Sequence, residues 1–338
     1  MTTSSPVTAG APIAGAPDLH PGQVGDEVLG QRQAPASPPA GVRSSAGRRF
    51  GEEIVRLHTR MTFRGLPDAI DGDPIVRLDG FGDGLTTIAV RESQLPARYL
   101  RGVMGFRLAQ FLHMGWMDPE IAYRRGLYHE PLAPSEGPET IHALTLTAAG
   151  RIAGYIAYVG SPDPVGVPLD APERGLFAAE VAHHVELLSG FAAPGRTSHD
   201  VYEVKRFVRD RFMERSPVSD RVAWHLLLGL GRCALELGLQ VVCGDSRENG
   251  ALRHLRLVGF DPLVIDGTRP SLPRDQLMWP SYEQPQLAKP FAATVPADFA
   301  GYMDAIESAL ELECGPGWQR AAVGRFLALR GPEPEMAA

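Results

Sequence analysis

The chain has 338 residues, 44% of them hydrophobic, and a formal net charge of -7 at pH 7. This length and apolar content are enough to fill the core of one large domain or two modest ones. The negative charge argues against a general nucleic-acid binder, whose binding surface is basic. With no apolar run of about 18 residues and no apolar segment behind a basic start, we expect neither a membrane span nor secretion, and therefore a cytoplasmic protein.

The cysteines and histidines do not form a recognisable metal-binding pattern. Cys233, Cys243 and Cys314 are odd in number and widely spaced, so we expect buried free thiols instead of a disulfide framework or a CxxC metal site. His183 and His184 are adjacent on a predicted helix, where neighbours point about 100° apart and cannot both bind one metal ion. The sequence therefore predicts no metal site.

The N-terminal third begins with a predicted tail and continues into a strand and a long helix. Residues 1–48 are mostly Ala, Pro, Gly, Ser and Thr, a composition that cannot bury enough surface to fold, so we expect a disordered tail. Leu85, Ile88 and Val90 indicate a strand, and residues 95–114 carry apolar side chains at helical spacing. Two apolar, β-branched runs at 141–147 and 152–159 then indicate a β-hairpin.

The second half of the predicted domain alternates short helices and strands. The predicted elements are a helix at 176–189, a strand at 201–208, a helix at 222–237, a strand at 239–243, a helix at 251–258 and a strand at 260–265. Ser219 is the predicted N-cap of the long apolar helix, and Gly238 and Gly259 are predicted C-caps. Gly229 and Gly231 lie inside that helix, where they permit close packing; no strand immediately precedes them as a phosphate loop requires.

This order predicts an α/β fold with a mixed, mostly antiparallel sheet and helices on both faces. After it come a Pro-rich passage to about residue 296 and two predicted helices at 298–312 and 319–329. We therefore expect three regions: the disordered tail at 1–48, a domain at 49–270, and a linker with a helical C-terminal extension at 271–338.

The element order over roughly 84–266 resembles that of the GNAT (N-acetyltransferase-like) superfamily. A short helix that ends in Gly259-Phe260 before a final strand is similar to a feature of that superfamily. Gly259 supplies a left-handed cap and Phe260 fills the core beside it. The resemblance implies a GNAT-like fold and transfer of an acyl group from a pantetheine thioester.

Two further passages resemble the branch that contains the acyl-homoserine-lactone synthases and the N-acyl amino acid synthases. Residues 203–207 read Glu-Val-Lys-Arg-Phe, similar to the Glu-x-x-Arg-Phe stretch of that branch. Arg107, Phe111 and Trp116, the last preceded by glycine, are similar to the Arg, Phe and Gly-Trp of its N-terminal region. The resemblance implies an N-acyltransferase whose acceptor is the amine of a small molecule or an amino acid.

The resemblance also implies roles for these residues. Glu203 is expected to accept a proton from the amine, with Arg206 as the second catalytic residue, because amine attack requires a deprotonated nitrogen. Arg107, Phe111 and Trp116 are expected to bind substrate or donor. In a regular strand Glu203 and Arg206 would lie on opposite faces unless a bulge turns one of them.

The predicted donor site departs from that of ordinary acetyl-CoA enzymes of the superfamily. Their pyrophosphate turn, Arg/Gln-x-x-Gly-x-Gly/Ala, corresponds here to residues 215–221, which contain no glycine. We expect the donor phosphate to meet Arg215, Arg221 and the helix N-terminus at Ser219, and an acyl carrier protein to be at least as good a donor as acyl-CoA. The alternatives are a conventional acetyl-CoA N-acetyltransferase and a catalytically silent binding module that uses the C-terminal extension.

Overall fold

The computed structural model describes residues 45–132, 136–137, 139–284 and 288–330. Its strands are Val76–Leu78 (β1), Leu85–Arg91 (β2), Ile141–Thr147 (β3), Ile152–Val159 (β4), Val201–Arg209 (β5), Val241–Ser246 (β6), Leu263–Val264 (β7) and Lys289–Thr294 (β8). They form one eight-stranded sheet in the order β1-β2-β3-β4-β5-β6-β8-β7. Every neighbouring pair is antiparallel except β5 and β6, which are parallel.

Helices cover both faces of this sheet, so the predicted fold class is confirmed. They are Ser45–His58 (α1), Ala97–His113 (α2), Pro119–Arg125 (α3), Ala178–His183 (α4), Pro217–Glu236 (α5), Arg253–Leu257 (α6), Trp279–Tyr282 (α7), Phe299–Leu310 (α8) and Trp318–Arg330 (α9). Helix α2 shares a buried cluster with one face of the sheet, and α5, α8 and α9 share the largest cluster with the other face. Within the described ranges, no helix has both the length and the apolar character that crossing a membrane demands.

Most of the predicted elements are present, and their turns have the expected causes. The β3–β4 hairpin has the predicted bounds, with Gly150 at a φ of 77° in its turn. Gly259 has a φ of 82°, a conformation that glycine adopts without a Cβ clash, and Phe260 beside it is buried. The helix expected at 176–189 is shorter, because His184 turns into the left-handed region at a φ of 53°.

Both expected region boundaries, at residues 48 and 270, differ from what the structure shows. Residues 45–48 of the predicted tail begin α1, and residues 1–44 lie outside the described part of the chain. Strand β8 lies between β6 and β7, so the sheet continues past the expected boundary at residue 270. The Pro-rich passage concealed this strand, since its second residue is a proline at the start of the strand.

The glycines inside α5 permit close packing, as the sequence predicts. A Cβ at Gly231 would collide with Met303 of α8, and a Cβ at Gly229 would lie 2.6 Å from the Thr87 side chain on β2. Helix α5 is therefore held closely between the sheet and the C-terminal helices. Cys233 on α5 and Cys243 on β6 are buried free thiols, whereas Cys314 is partly exposed.

A buried histidine beneath α2 predicts that the protein loses stability in mild acid. Burial lowers the pKa of His58 from 6.5 to about 4, although its Nε2 lies 2.9 Å from the Tyr128 carbonyl. Between these values the unfolded chain binds a proton that the folded chain does not, so the free energy of unfolding falls as pH falls. From pH 7 to pH 5 this should cost about 2 kcal/mol.

Urea unfolding at pH 7 and pH 5 measures this loss. The His58→Gln variant should show a smaller loss between the two pH values than the wild type, and an exposed control, His199→Gln, should behave like the wild type. Equal losses in wild type and His58→Gln would contradict the assignment.

Candidate active site

The sheet opens between its two parallel strands. Strands β5 and β6 are paired only at their amino ends, through Val201↔Val241, Tyr202↔Val242 and Glu203↔Cys243. Beyond that point β5 remains paired with β4, and β6 remains paired with β8 through Ser246. The two strands therefore diverge towards their carboxyl ends, and their facing edges have no ladder partner in the described sheet. Crevices at the carboxyl ends of parallel strands are common ligand sites.

A bulge in β5 places three charged side chains on one side of this opening. Tyr155 pairs with Val208 and Ala157 with Lys205, so two steps along β4 correspond to three along β5. The extra residue is accommodated near Arg206, whose φ of 62° is rare for a residue other than glycine. Arg206 consequently lies on the same side of the sheet as Glu203 and Lys205. Glu203 and Arg206, the two charged ends of the motif at 203–207, can therefore act on the same ligand.

On this side Arg206 is held by a buried ion network that extends to α2. Arg206 Nη2 donates to Glu130 Oε1 at 2.6 Å, and Arg107 Nε donates to Glu130 Oε2 at 2.8 Å. Arg107 Nη2 also donates to Glu136 Oε1 at 2.9 Å. Burial raises the pKa of Glu130, but the attraction of Arg107 and Arg206 outweighs burial and lowers it overall. Arg206 Nη1 donates to no partner among the described residues, since the hydrogen bonds to Glu130 come from Nε and Nη2.

Two aromatic rings connect this network to the end of β6. The Arg206 guanidinium lies 5.5 Å from the centre of the Phe111 ring, which stacks on Trp116 at 5.6 Å. Arg247, which follows β6, covers Trp116 at 4.7 Å. The motif on α2 and the motif on β5, about 90 residues apart in the printed sequence, thus meet at the opening.

Glu203 is buried at the last paired position of β5. Its carboxylate accepts hydrogen bonds from the backbone N–H groups of Ala178 and Ala179 at the start of α4, at 3.2 and 2.9 Å. Lys205 Nζ lies 3.1 Å from Glu203 Oε2. Burial raises the pKa of Glu203, Lys205 opposes the rise, and the negative charge of Asp245 adds to it.

A second polar cluster faces Glu203 and Lys205 from across the opening. Asp245 on β6 accepts a hydrogen bond from the Tyr282 hydroxyl on α7 at 2.9 Å, and its Oδ2 lies 3.4 Å from His183 Nε2 on α4. The side-chain exposure increases from 3% at Glu203 to 10% at Lys205, 18% at Arg206 and 27% at Asp245. The cluster is thus buried at Glu203 and reaches solvent at Asp245.

The structure separates the predicted site residues into two groups. Glu203, Arg206, Phe111 and Trp116 lie together at the opening. Arg107 lies beside them but is fully buried, with its guanidinium bound to Glu130 and Glu136. Direct substrate binding by Arg107 stays a prediction, and the observed contacts favour a role in holding Arg206 through Glu130.

The predicted phosphate site also changes. The N-cap of α5 is Ser216, whose Oγ accepts from the Ser219 backbone N–H at 3.2 Å, and Ser219 is itself buried. Arg221 is fully buried against Asp83 at 3.0 Å and donates to the Leu310 carbonyl of α8, so its guanidinium is covered by α8. Arg215 alone of these three side chains is exposed beside the helix N-terminus.

Sequence patterns did not single out several residues of the opening. They are Glu130, Glu136, His183, Asp245, Arg247 and Tyr282. Asp245 had a usable signal, since it stands on a buried apolar strand where a carboxylate is uncommon. The others lie in loops or short helices without periodicity. Among the described residues, no group of histidine, cysteine and acidic side chains is arranged to hold a metal ion.

Comparisons with known proteins return solved structures of low sequence identity to this chain. No family model matches the chain, and no curated protein matches it. BjaI, a CoA-dependent acyl-homoserine lactone synthase solved with MTA, is 15% identical, with 70% of this chain and 96% of that chain covered and a TM-score of 0.41. FeeM, an N-acyl amino acid synthase from uncultured soil microbes, is 16% identical, with 62% and 89% covered and a TM-score of 0.37.

A GNAT-family acetyltransferase from Staphylococcus aureus Mu50 is 10% identical, with 62% of this chain and 99% of that chain covered and a TM-score of 0.32. The structural neighbours of this chain thus include acyl-homoserine lactone synthases, an N-acyl amino acid synthase and a GNAT acetyltransferase, the groups that its sequence motifs resemble.

Proposed function

We propose that the protein is an N-acyltransferase that moves an acyl group from a pantetheine thioester to the amine of a small molecule or an amino acid. The observation that supports it best is the divergence of β5 and β6 directly beyond Glu203, next to a bulge that presents Arg206. This opening combines unpaired strand edges, which suit an extended donor, with a buried carboxylate able to accept a proton from the amine.

The unpaired edges suit the donor. A pantetheine arm is extended and carries two amides, so it can add to a strand edge through main-chain hydrogen bonds, as an extended peptide does. The arm would bring its thioester towards Glu203 and Arg206, where the strands meet. Helix α5 follows β5 and begins at the open end, so its N-terminus and the exposed Arg215 would meet the donor phosphate.

The proposed chemistry uses groups at the bottom of the opening. Glu203 accepts a proton from the amine, and its raised pKa makes it a stronger base than an ordinary carboxylate. Arg206 Nη1 and unpaired backbone N–H groups polarise the thioester carbonyl. The amine is an ammonium ion in water and becomes nucleophilic once Glu203 has taken this proton. Its nitrogen bonds to the carbonyl carbon, the carbon–sulfur bond breaks, and a second proton passes from the nitrogen through water to the leaving thiolate.

Two features support an acyl carrier protein as the donor. The residues before and within the first turn of α5 contain no glycine, and each Cβ limits how closely a backbone can surround a pyrophosphate. Residues 196–221 hold seven Arg or Lys and five Asp or Glu, on a chain of net charge -7. Arg211 and Arg215 are exposed in this stretch, and exposed positive charge favours an acidic partner.

A thiol-release assay tests the proposal. The purified full-length protein is mixed with acetyl-CoA, long-chain acyl-CoA or acyl carrier protein, with and without a pool of amino acids and amines. We expect thiol release that depends on the amine, with the acyl carrier protein giving a higher kcat/KM than the matching acyl-CoA.

Mass spectrometry of the amide product confirms the reaction. Amine-independent release with every donor, or no release at all, would refute the acyltransferase and favour the binding-module alternative. A tenfold preference for acyl-CoA would refute only the carrier-protein donor.

A further inference from the structure

One carboxylate at the opening lacks the cationic partner that its neighbours have. Glu203 is paired with Lys205, and Glu130 is paired with both Arg107 and Arg206. Asp245 forms no ion pair with a lysine or arginine among the described residues; its contacts are the Tyr282 hydroxyl and the His183 imidazole. A carboxylate held this way and open to solvent is available to an external cation.

The strand register places Asp245 directly beside the proposed catalytic groups. Glu203 pairs with Cys243, and alternation along each strand brings Asp245 to the same side as Cys243 and Lys205 to the same side as Glu203. Because β5 and β6 diverge from the Glu203–Cys243 pair onwards, Asp245 lies on the far wall of the opening, facing Lys205 across it. The negative charge of Asp245 raises the pKa of Glu203 on β5 and the pKa of Tyr282 on α7.

Hydrogen bonds hold one oxygen of the Asp245 carboxylate and leave the other oxygen available. Both described contacts go to Oδ2, and Oδ1 has no hydrogen bond within the described part of the chain. The Asp245 side chain is 27% exposed, the most accessible in the cluster. Burial raises the pKa of Asp245, but the hydrogen bonds from His183 and Tyr282 outweigh burial and lower it overall, so the group is an anion at neutral pH.

Extending the proposed function, on which this step rests, we propose that Asp245 is the acceptor-binding residue and that it receives the amine as its ammonium cation through the open Oδ1. The protein therefore selects primary amines that are cationic in water over neutral acceptors such as alcohols. Tyr282 and His183 are positioning residues, because they hold Oδ2 and so aim Oδ1 into the cleft. The bound ammonium then gives one proton to Glu203 across the opening.

Direct binding tests this site without any acyl transfer. The full-length protein is titrated with n-butylammonium, and n-butanol serves as the neutral probe of the same length, with saturation-transfer NMR as the readout. We expect saturable binding of n-butylammonium and none of n-butanol. Asp245→Asn should weaken n-butylammonium binding by about 10- to 100-fold, the range expected for a charge-assisted hydrogen bond.

Matched variants separate charge from structure. Asp266→Asn, at an exposed aspartate, should bind like the wild type. Tyr282→Phe removes one of the two hydrogen bonds that hold Oδ2 and should weaken binding, but by less than Asp245→Asn does. Asp245→Glu keeps the charge and should still bind saturably. Equal binding by wild type and Asp245→Asn, equal binding of the alcohol, or loss of binding in a folded Asp245→Glu protein would each overturn the proposal.

The kinetic consequence has its own signature. In Asp245→Asn the KM for the amine should rise more than kcat falls, and the acid limb of the kcat profile should move to lower pH, since a charge that raises the pKa of Glu203 is gone. The titratable and charged groups around Asp245 are His183, Tyr282, Lys205 and Glu203. Amine binding without thiol release would defeat the proposed function and leave this site intact, so the two failures are distinguishable.

Discussion

Replacing Arg107 with methionine should lower the free energy of unfolding by about 3–5 kcal/mol, the cost of removing one partner from a buried ion pair. The guanidinium is fully buried and its donors go to Glu130 and Glu136, both also buried. Methionine fills much of the volume but removes one cationic partner of Glu136 and leaves Arg206 as the cationic partner of Glu130 among the described residues. Urea unfolding at neutral pH measures the loss.

A surface ion pair provides the control for Arg107. Arg77 lies 3.1 Å from Asp79 with both side chains about half exposed, so Arg77→Met should cost less than about 1 kcal/mol. The activity of Arg107→Met should fall too, because Arg107 and Arg206 share Glu130 and the loss of one partner disturbs the side chain of the other. A loss of stability no larger than that of Arg77→Met would show that the buried network contributes little.

The second large effect is expected at Glu203. The Glu203→Gln variant should lose about 10²- to 10⁴-fold in kcat, as is typical when a general base is removed. The wild-type kcat should fall on the acid side at a pH above the ordinary range of a glutamate, because burial raises the pKa of this carboxylate. That acid limb should be absent from the variant, since glutamine does not titrate.

A helix control is needed, because Glu203 also anchors α4. Glu180 lies on the same helix and binds Arg174 through both oxygens, at 2.8 and 2.9 Å, without touching Glu203. Glu180→Gln should lower the melting temperature by disturbing α4 but keep kcat close to that of the wild type. If Glu180→Gln loses as much activity as Glu203→Gln, the role of Glu203 is to hold α4 and not to accept a proton.

Local patterns were sufficient for most of the fold. The β3–β4 hairpin, α2 and α5 follow from apolar periodicity and from turn glycines, which act within a few residues of themselves. The strand that carries Glu203 was predictable for the same reason. Strand β8 was not, because six residues beginning Lys-Pro carry no distinctive pattern until β6 and β7 provide partners on both sides.

The site was determined partly by sequence and partly by the packing of distant segments. The sequence by itself singled out Glu203, Arg206, Phe111 and Trp116 through short motifs, and their roles in a site stay predictions. Only the tertiary structure decided the surroundings of the predicted charges: the bulge turns Arg206 towards Glu203, Arg107 is buried against Glu130, and α8 covers Arg221. The physical reason is that burial, neighbouring charges and hydrogen bonds determine whether a charged side chain is available to a ligand. These surroundings come from segments that are far away in the chain.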